Sequence, residues 1–319
     1  MTPPTKKIIT VFGATGHQGG SIVSTFLNDP VLKNEWAVRA VTRDATKASA
    51  LELAKKGVEV VSADLNDKSS LLKAMTGSHT VFGVTNYWEK CDMELEIHQG
   101  KDLADAAKES GIEHYIWSCL WNVTKLSGGK LAHVYHFDSK AQVAEYVAEL
   151  GIPASYFMPG FYMSNLPGQM LKQSSEDNTY TLGLPIAPTA PIPLYDTRDT
   201  GLYVKAIVSN RNELLGKRLL GATAYMTGQE IVDGFKNVFP EVGATATYFE
   251  VPEAAYRSEM KSSGVPDFIA EEMYQNMRLM EEFGYYGGEA LDGTYKLVDG
   301  HLTTWEEHAK GAKAWADLK

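Results

Sequence analysis

Eight consecutive residues near the start of the chain, Gly13-Ala14-Thr15-Gly16-His17-Gln18-Gly19-Gly20, have the make-up of a phosphate cradle. Glycines three apart let the backbone turn tightly, come close to a pyrophosphate and seat a following helix against a sheet. The helix N-terminus then offers free N–H groups and a partial positive charge. A glycine triplet alone marks any tight turn, but this one follows the strand-like run IITVF and precedes the helical run SIVSTFL. That context is the one in which such a loop binds a dinucleotide. Gly13, Ala14, Thr15, Gly16, His17, Gln18 and Gly19 are therefore the expected pyrophosphate contacts.

The tip of the second strand separates NADP(H) from NAD(H), because sites for the latter place an acid there to hold the ribose 2′-hydroxyl. This chain has Thr42-Arg43-Asp44 instead. The Arg43 guanidinium fork suits a 2′-phosphate, with Lys47 one helical turn on as a second cation. A merely solvated Arg43 is the bland alternative. Asp44 could pair with Arg43 or meet a ribose hydroxyl itself, which leaves dual cofactor use open. Asp64 stands where it could accept from an adenine amino group with Leu65 packed nearby, or equally cap a helix beginning near Asn66.

Ser118 closes a later strand, and Lys140 lies on the helix that follows the long connection Cys119 to Tyr135. In short-chain reductases a serine at that strand end and Tyr-x-x-x-Lys on the next helix form a proton relay, the lysine bonding the nicotinamide ribose and lowering the tyrosine pKa. Here the residue four before Lys140 is His136, and Tyr135 is one position out of register, about 100° around the helix. Three readings stand: His136 is the general acid, since imidazole titrates near neutrality; Lys140 moves the proton if desolvation lowers its pKa; or the pair only binds cofactor.

The elements that must hold these residues alternate in type. Ile8 to Phe12, Ala37 to Thr42, Val58 to Ala63, Thr80 to Val84, His114 to Ser118 and Ala154 to Met158 read as strands of nearly continuous apolar character, as strands buried on both faces require. Helical patterns occupy roughly 17–28, 46–56, 67–76, 92–110 and 137–150. The fold class expected is α/β: a Rossmann-type doubly wound parallel sheet with a smaller α+β C-terminal capping region. The boundary falls between a dinucleotide-binding domain over 1–158 and a substrate or partner region over 159–319. In the second region prolines at 167, 185, 188, 191 and 193 break the rhythm. The segment Pro185 to Pro193 is expected to be neither helix nor central strand. Thr303 to Leu318 reads as a last amphipathic helix.

The 319 residues carry 40 acidic against 30 basic side chains, a formal charge of −10, so direct binding to nucleic acid is not expected. No run approaches the roughly 18 uninterrupted apolar residues of a membrane span, and MTPPTKKIITVFG lacks an apolar signal core. The expectation is a soluble protein of the cytoplasm, with the nucleus also open. The two cysteines, Cys91 and Cys119, form no Cys-x-x-Cys pair and no metal-ligand spacing. Plain packing is preferred for them over a thiol redox sensor. His133 and His136 lack the carboxylate or thiolate companions of a metal site, so no metal is expected. Trp88, Trp117 and Trp121 could line a flat aromatic pocket, though core packing is the commoner role. The turn Tyr285-Tyr286-Gly287-Gly288 could form a lid.

The blocks GATGHQGG, VTR, SADL, VTNYWE, HQGKDLADAAKESGI, HYIWS, HFDSK and YMSNLPG occur in order between about Lys7 and Leu166. Together they resemble the NmrA-like group of atypical short-chain dehydrogenases, and within it the HSCARG-type NADPH-sensing members. The resemblance implies NADP(H) contacts from the glycine loop, from Arg43 through Lys47, from Asp64 and Leu65, and from Thr85, Asn86 and Tyr87. It also implicates Lys140 and the segment Tyr162, Met163, Ser164 and Asn165. Where close relatives carry a lysine just before QGK, this chain has His98, which puts that contact in doubt. The group divides into dinucleotide-binding regulators and reductases of small molecules. The expected function is thus NADP(H)-dependent reduction of a small carbonyl, imine or conjugated substrate, with Lys140, His136 and Ser118 as the catalytic set. The alternative is a redox sensor acting through a regulatory protein partner. A homodimer is compatible with either.

Overall fold

The computed structural model describes residues 6–174 and 177–318. Its centre is a parallel sheet built from β1 (Lys7–Val11), β2 (Trp36–Thr42), β3 (Glu59–Ser62), β4 (Thr80–Gly83), β5 (His114–Ser118), β6 (Ala154–Pro159) and β7 (Arg218–Gly221), in the order β7-β6-β5-β4-β1-β2-β3. The helices joining the first six are α1 (His17–Asn28), α2 (Ala48–Lys55), α3 (Lys68–Met75), α4 (Met93–Glu109) and α5 (Tyr135–Glu149). The order reverses between β1 and β4. In open α/β sheets a ligand crevice lies at that switch point, outside the carboxyl ends of the strands. The doubly wound expectation holds, and the six expected strands each lie within a residue or two of where hydrophobic patterning puts them.

Sequence and burial agree strand by strand. HYIWS and ASYFMP in β5 and β6 are buried throughout, as covering by helices on both faces requires. EVVS in β3 is half-exposed because it forms the edge of the sheet. Two glycines set how closely the helices pack. A Cβ on Gly100 of α4 would fall 2.4 Å from Cγ2 of Val143 in α5, so these helices meet at backbone distance. That contact brings Glu96, one turn before Gly100, level with Lys140. On the other face a Cβ on Gly201 would lie 2.0 Å from Oγ1 of Thr25 in α1.

Gly201 belongs to α6 (Thr200–Ser209), which leads into β7. Beyond Pro159 the chain therefore completes one more helix-strand unit and returns a seventh strand to the main sheet, where no further regular alternation was expected. The unit is masked in the sequence by the proline-rich insertion before it. Strands of that insertion join strands that follow β7 in two small sheets, one of Phe161–Tyr162, Ile192–Tyr195 and Ala224–Met226, the other of Leu171–Gln173, Tyr180–Leu184 and Thr247–Glu250. Pro193 does sit in the middle strand of the first, contrary to expectation. Its strand is paired on both sides only at Leu194; at Pro193 only Tyr225 is paired, so the missing amide hydrogen costs no ladder bond on the Phe161 side. The last expected helix is cut short. Trp305–Lys310 begins in a capping box of Thr304 and Glu307, ends at Gly311 and is followed by a single tighter turn. No helix among the described residues is long and apolar enough to cross a membrane.

Candidate functional site

The glycine loop starts between the ends of β2 and β4: the Phe12 amide donates to the Phe82 carbonyl at 3.0 Å and the Ala14 amide to Val41 at 3.3 Å. Gly13 takes φ +63°, a left-handed conformation that side chains rarely adopt. A Cβ on Gly19 would lie 2.2 Å from the Gly13 carbonyl oxygen, so α1 closes directly onto the loop. No side chain caps α1, no acid lies in its first turn, and Thr15, Gly16 and His17 are exposed. The first-turn amides, which have no acceptor within the helix, are thus open at the switch point. This backbone fits a pyrophosphate.

At the tip of β2, Arg43 reaches Glu89 rather than Asp44, its Nη1 lying 2.5 Å from Oε1. The Asp44 carboxylate instead accepts from the hydroxyl and amide of Thr46, and the hydroxyl contact is the main reason its pKa falls below the usual value. Lys47 precedes α2 at its N-cap position. Asp64 is not a helix cap: its Oδ1 holds the amide and side chain of Asn66 in a local turn. The cap of α3 is Asp67, which accepts from the amides of Ser69 and Ser70. Asp64 is exposed and Leu65 half-buried beside it.

Three polar clusters gather residues from beyond the carboxyl ends of β4 and β5. In the first, the Ser118 hydroxyl donates to Oε1 of Gln18 at 2.9 Å, and the Gln18 amide donates to the Tyr162 hydroxyl at 2.7 Å. The glycine loop is thereby tied to β5 and to the second region. Burial keeps the Tyr162 phenol protonated well past neutrality.

The second group surrounds Glu96, 2 % exposed. Its carboxylate accepts from Lys140 Nζ at 2.5 Å, from the Thr85 hydroxyl at 2.7 Å and from the Ser139 hydroxyl. Burial works to raise the Glu96 pKa; the Lys140 ammonium and these hydrogen bonds outweigh it, and the carboxyl titrates below its ordinary range. Lys140 and Thr85, both expected at the cofactor, thus share one buried anion.

The third group is held by Glu272, on α7 (Asp267–Glu282). Fully buried, it accepts from the His136 amide at 2.8 Å, from His136 Nδ1 at 2.6 Å and from the Tyr87 hydroxyl at 2.6 Å. Against a carboxylate acceptor Nδ1 is the ring nitrogen that donates, and Nε2 has no hydrogen bond among the described residues. The Trp88 ring, half-exposed, lies 4.7 Å from the imidazole. Tyr135, one residue off register, turns to His133 instead.

The remaining candidates scatter. Asn86 and Ser164 are exposed, Asn165 is half-buried and Met163 is buried, the last three forming one tight turn after Tyr162. His98 is on the surface, 3.5 Å from Asp102. Trp117 is core, its indole N–H donating to the Lys140 carbonyl; Trp121 lies under the Arg218 guanidinium. Tyr285 and Tyr286 are buried, their hydroxyls donating to the carbonyls of Pro159 and Met158, so this turn is pinned to the end of β6 and is no lid. Burial pushes the Cys119 thiol up to about 12 and raises Cys91 as well, against a reactive thiolate. Among the described residues no group of His, Cys, Asp and Glu could hold a metal ion.

Sequence reading missed Glu89, Glu96 and Glu272. Glu96 was findable, since it shares the buried face of α4 with Gly100, Leu103 and Ala107, where a carboxylate needs a partner. Nothing linear connects Glu272 with His136.

Compared with known proteins, the profile of the NmrA-like family matches residues 5–309. An NmrA-like family domain-containing protein of Dictyostelium discoideum is 30% identical over 71% of this chain and 76% of its own. The NmrA-like family domain-containing oxidoreductase cpsB of Aspergillus campestris is 28% identical over 100% of this chain and 94% of its own. Among solved structures the fold is similar to that of NmrA, a negative transcriptional regulator, in its complex with NADP, with a TM-score of 0.76 at 24% identity, covering 96% of this chain and 94% of that one.

Proposed function

This chain belongs to the NmrA-like family, and on that premise we propose that it binds NADP(H) and reduces a small carbonyl, imine or conjugated substrate. The observation carrying this is the uncapped start of α1 behind the glycine loop, with the Glu272–His136 pair bonded to Tyr87 beyond the end of neighbouring β4. The amides of His17, Gln18 and Gly19 would hold the pyrophosphate, Arg43 and Lys47 the 2′-phosphate, and Lys140 the nicotinamide ribose. When bound, the dinucleotide supplies or accepts hydride.

The protein's own part is to place protons. Glu272 fixes the His136 tautomer and offsets the charge of the imidazolium, leaving Nε2 to exchange a proton with the substrate oxygen or nitrogen. His136 thereby takes the place of the tyrosine four before Lys140. Ser118 orients Gln18, and through it the Tyr162 hydroxyl. The exposed face of Trp88 offers a flat apolar surface for the substrate. Relatives named as oxidoreductases support this reading. Following nicotinamide absorbance with NADPH against a panel of aldehydes, ketones, imines and enones tests it: turnover of at least one class, lost in His136→Gln, is expected. No oxidation of bound NADPH by any class refutes it.

One observation favours a second reading, that of an NADPH sensor docking on a protein partner in the cytoplasm or nucleus, as NmrA is a regulator. Both Lys140 and His136 are bound to buried carboxylates, so each has a purely structural use. Partner binding that is equal with NADPH, NADP and no nucleotide eliminates this reading.

A further inference from the structure

Resting on the dinucleotide reading above, we infer that Glu89 sets how strongly the site prefers NADP(H) over NAD(H), by competing with the 2′-phosphate for Arg43. Arg43 follows directly on β2, and Glu89 lies in the turn Tyr87–Glu89 beyond β4. The sheet order puts β1 between these strands, so the 2.5 Å pair bridges across the end of β1, where the glycine loop begins.

The acid is presented at a fixed place. Its turn is anchored by the Tyr87 hydroxyl on buried Glu272 and by the packing of Trp88 against His136. Asp44, the other acid near Arg43, is occupied by Thr46 and leaves the guanidinium to Glu89. The pair itself is weak, because the two side chains are 65% and 39% exposed. A ligand carrying a 2′-phosphate, which is dianionic and matches the guanidinium fork, displaces the Glu89 carboxylate at small cost. A ligand with a bare 2′-hydroxyl offers nothing to displace it. Glu89 therefore lowers NADP(H) affinity by the strength of the exposed pair while leaving NAD(H) nearly untouched. It moderates the discrimination that Arg43 creates.

The test is calorimetric titration of NADPH and NADH into wild type, Glu89→Gln, Arg43→Ala and the double variant, with 2′,5′-ADP and 5′-AMP as the smallest probes of the same contact. Glu89→Gln is expected to tighten NADPH and 2′,5′-ADP about two- to fivefold, the factor an exposed ion pair represents. NADH and 5′-AMP should stay unchanged, and the gain should vanish when Arg43 is also replaced. Weaker NADPH binding in Glu89→Gln, equal tightening of both dinucleotides, or a gain that persists without Arg43 overturns the proposal. Binding of neither dinucleotide by the wild type is a different failure, which brings down the cofactor reading and this inference with it.

Discussion

The imidazole of His136 and the carboxylate of Glu272 are 136 positions apart in the chain and 2.6 Å apart in space. Glu272 is wholly buried and, among the described residues, has no lysine or arginine as a hydrogen-bond partner; His136 and Tyr87 are the groups that satisfy it. A carboxylate so placed orients the imidazole and fixes which ring nitrogen donates, as in other carboxylate-histidine pairs. The C-terminal region thus supplies the carboxylate of this pair and the N-terminal half the imidazole.

Glu272→Gln keeps the shape but gives the His136 amide and ring a partner that is neutral and half donor. Turnover should fall by about 100-fold, within the span of general acid-base effects, and the limb of the pH-rate profile that reports His136 should move. Urea unfolding should show a loss of about 1–3 kcal/mol from the disturbed buried bonds. Unchanged turnover and pH profile would mean that His136 handles no proton.

Gly19→Ala forces a methyl group against the Gly13 carbonyl, 2.2 Å from where its carbon would sit. Neither partner is a flexible side chain, so α1 must shift. A destabilisation of about 1–3 kcal/mol is expected, with NADPH affinity measured by calorimetry falling at least tenfold. Wild-type affinity in this variant would show that the loop is not the pyrophosphate site.

Lys140→Met strands Glu96 in the core. In the wild type the Glu96 pKa is depressed below 4.5, so its contribution to stability is present above that value and lost as pH falls through the lower folded value. Without the ammonium, burial dominates and the folded pKa rises above the unfolded one, so stability is lost as pH climbs. The variant's deficit should be about 3–5 kcal/mol near neutrality and should shrink on acidification toward about pH 5. A pH-independent deficit in urea unfolding would contradict the pairing.

Much of this was legible in the residues, and the reasons are local. The glycine loop, β1 and α1 follow from patterning and from glycine's freedom at Gly13. His136 and Lys140 share a face by helical spacing. What escaped was long-range. Glu272 reaches His136 only after the chain has returned through α7, and β7 joins the sheet after a proline-rich excursion that hides its helix-strand rhythm. Arg43 stands out in the sequence as a cation where an acid is usual at the tip of β2, yet its partner Glu89 comes from beyond β4, a neighbourhood created by sheet order alone. Local chemistry could propose ligands for these side chains and could not say which carboxylates already held them.

Arg43→Ala should weaken NADPH selectively, by about five- to 100-fold for the loss of a charge-assisted contact, with NADH nearly unchanged. Calorimetry with both dinucleotides reads this directly. Parallel weakening of the two would assign Arg43 some role other than the 2′-phosphate.

The thiols should prove inert. With Cys119 1% exposed and its pKa pushed up to about 12, iodoacetamide should label it only as the protein unfolds. Cys91, partly exposed, should react slowly in the native state. Rapid native labelling of Cys119 would revive a thiol-based redox switch.

Crystals grown with NADPH offer the most direct measurement. The account predicts difference density for a pyrophosphate on the first-turn amides of α1, and for a 2′-phosphate on an Arg43 guanidinium released from Glu89. A map with no nucleotide at the start of α1, or with the ligand lodged elsewhere on the protein, contradicts it.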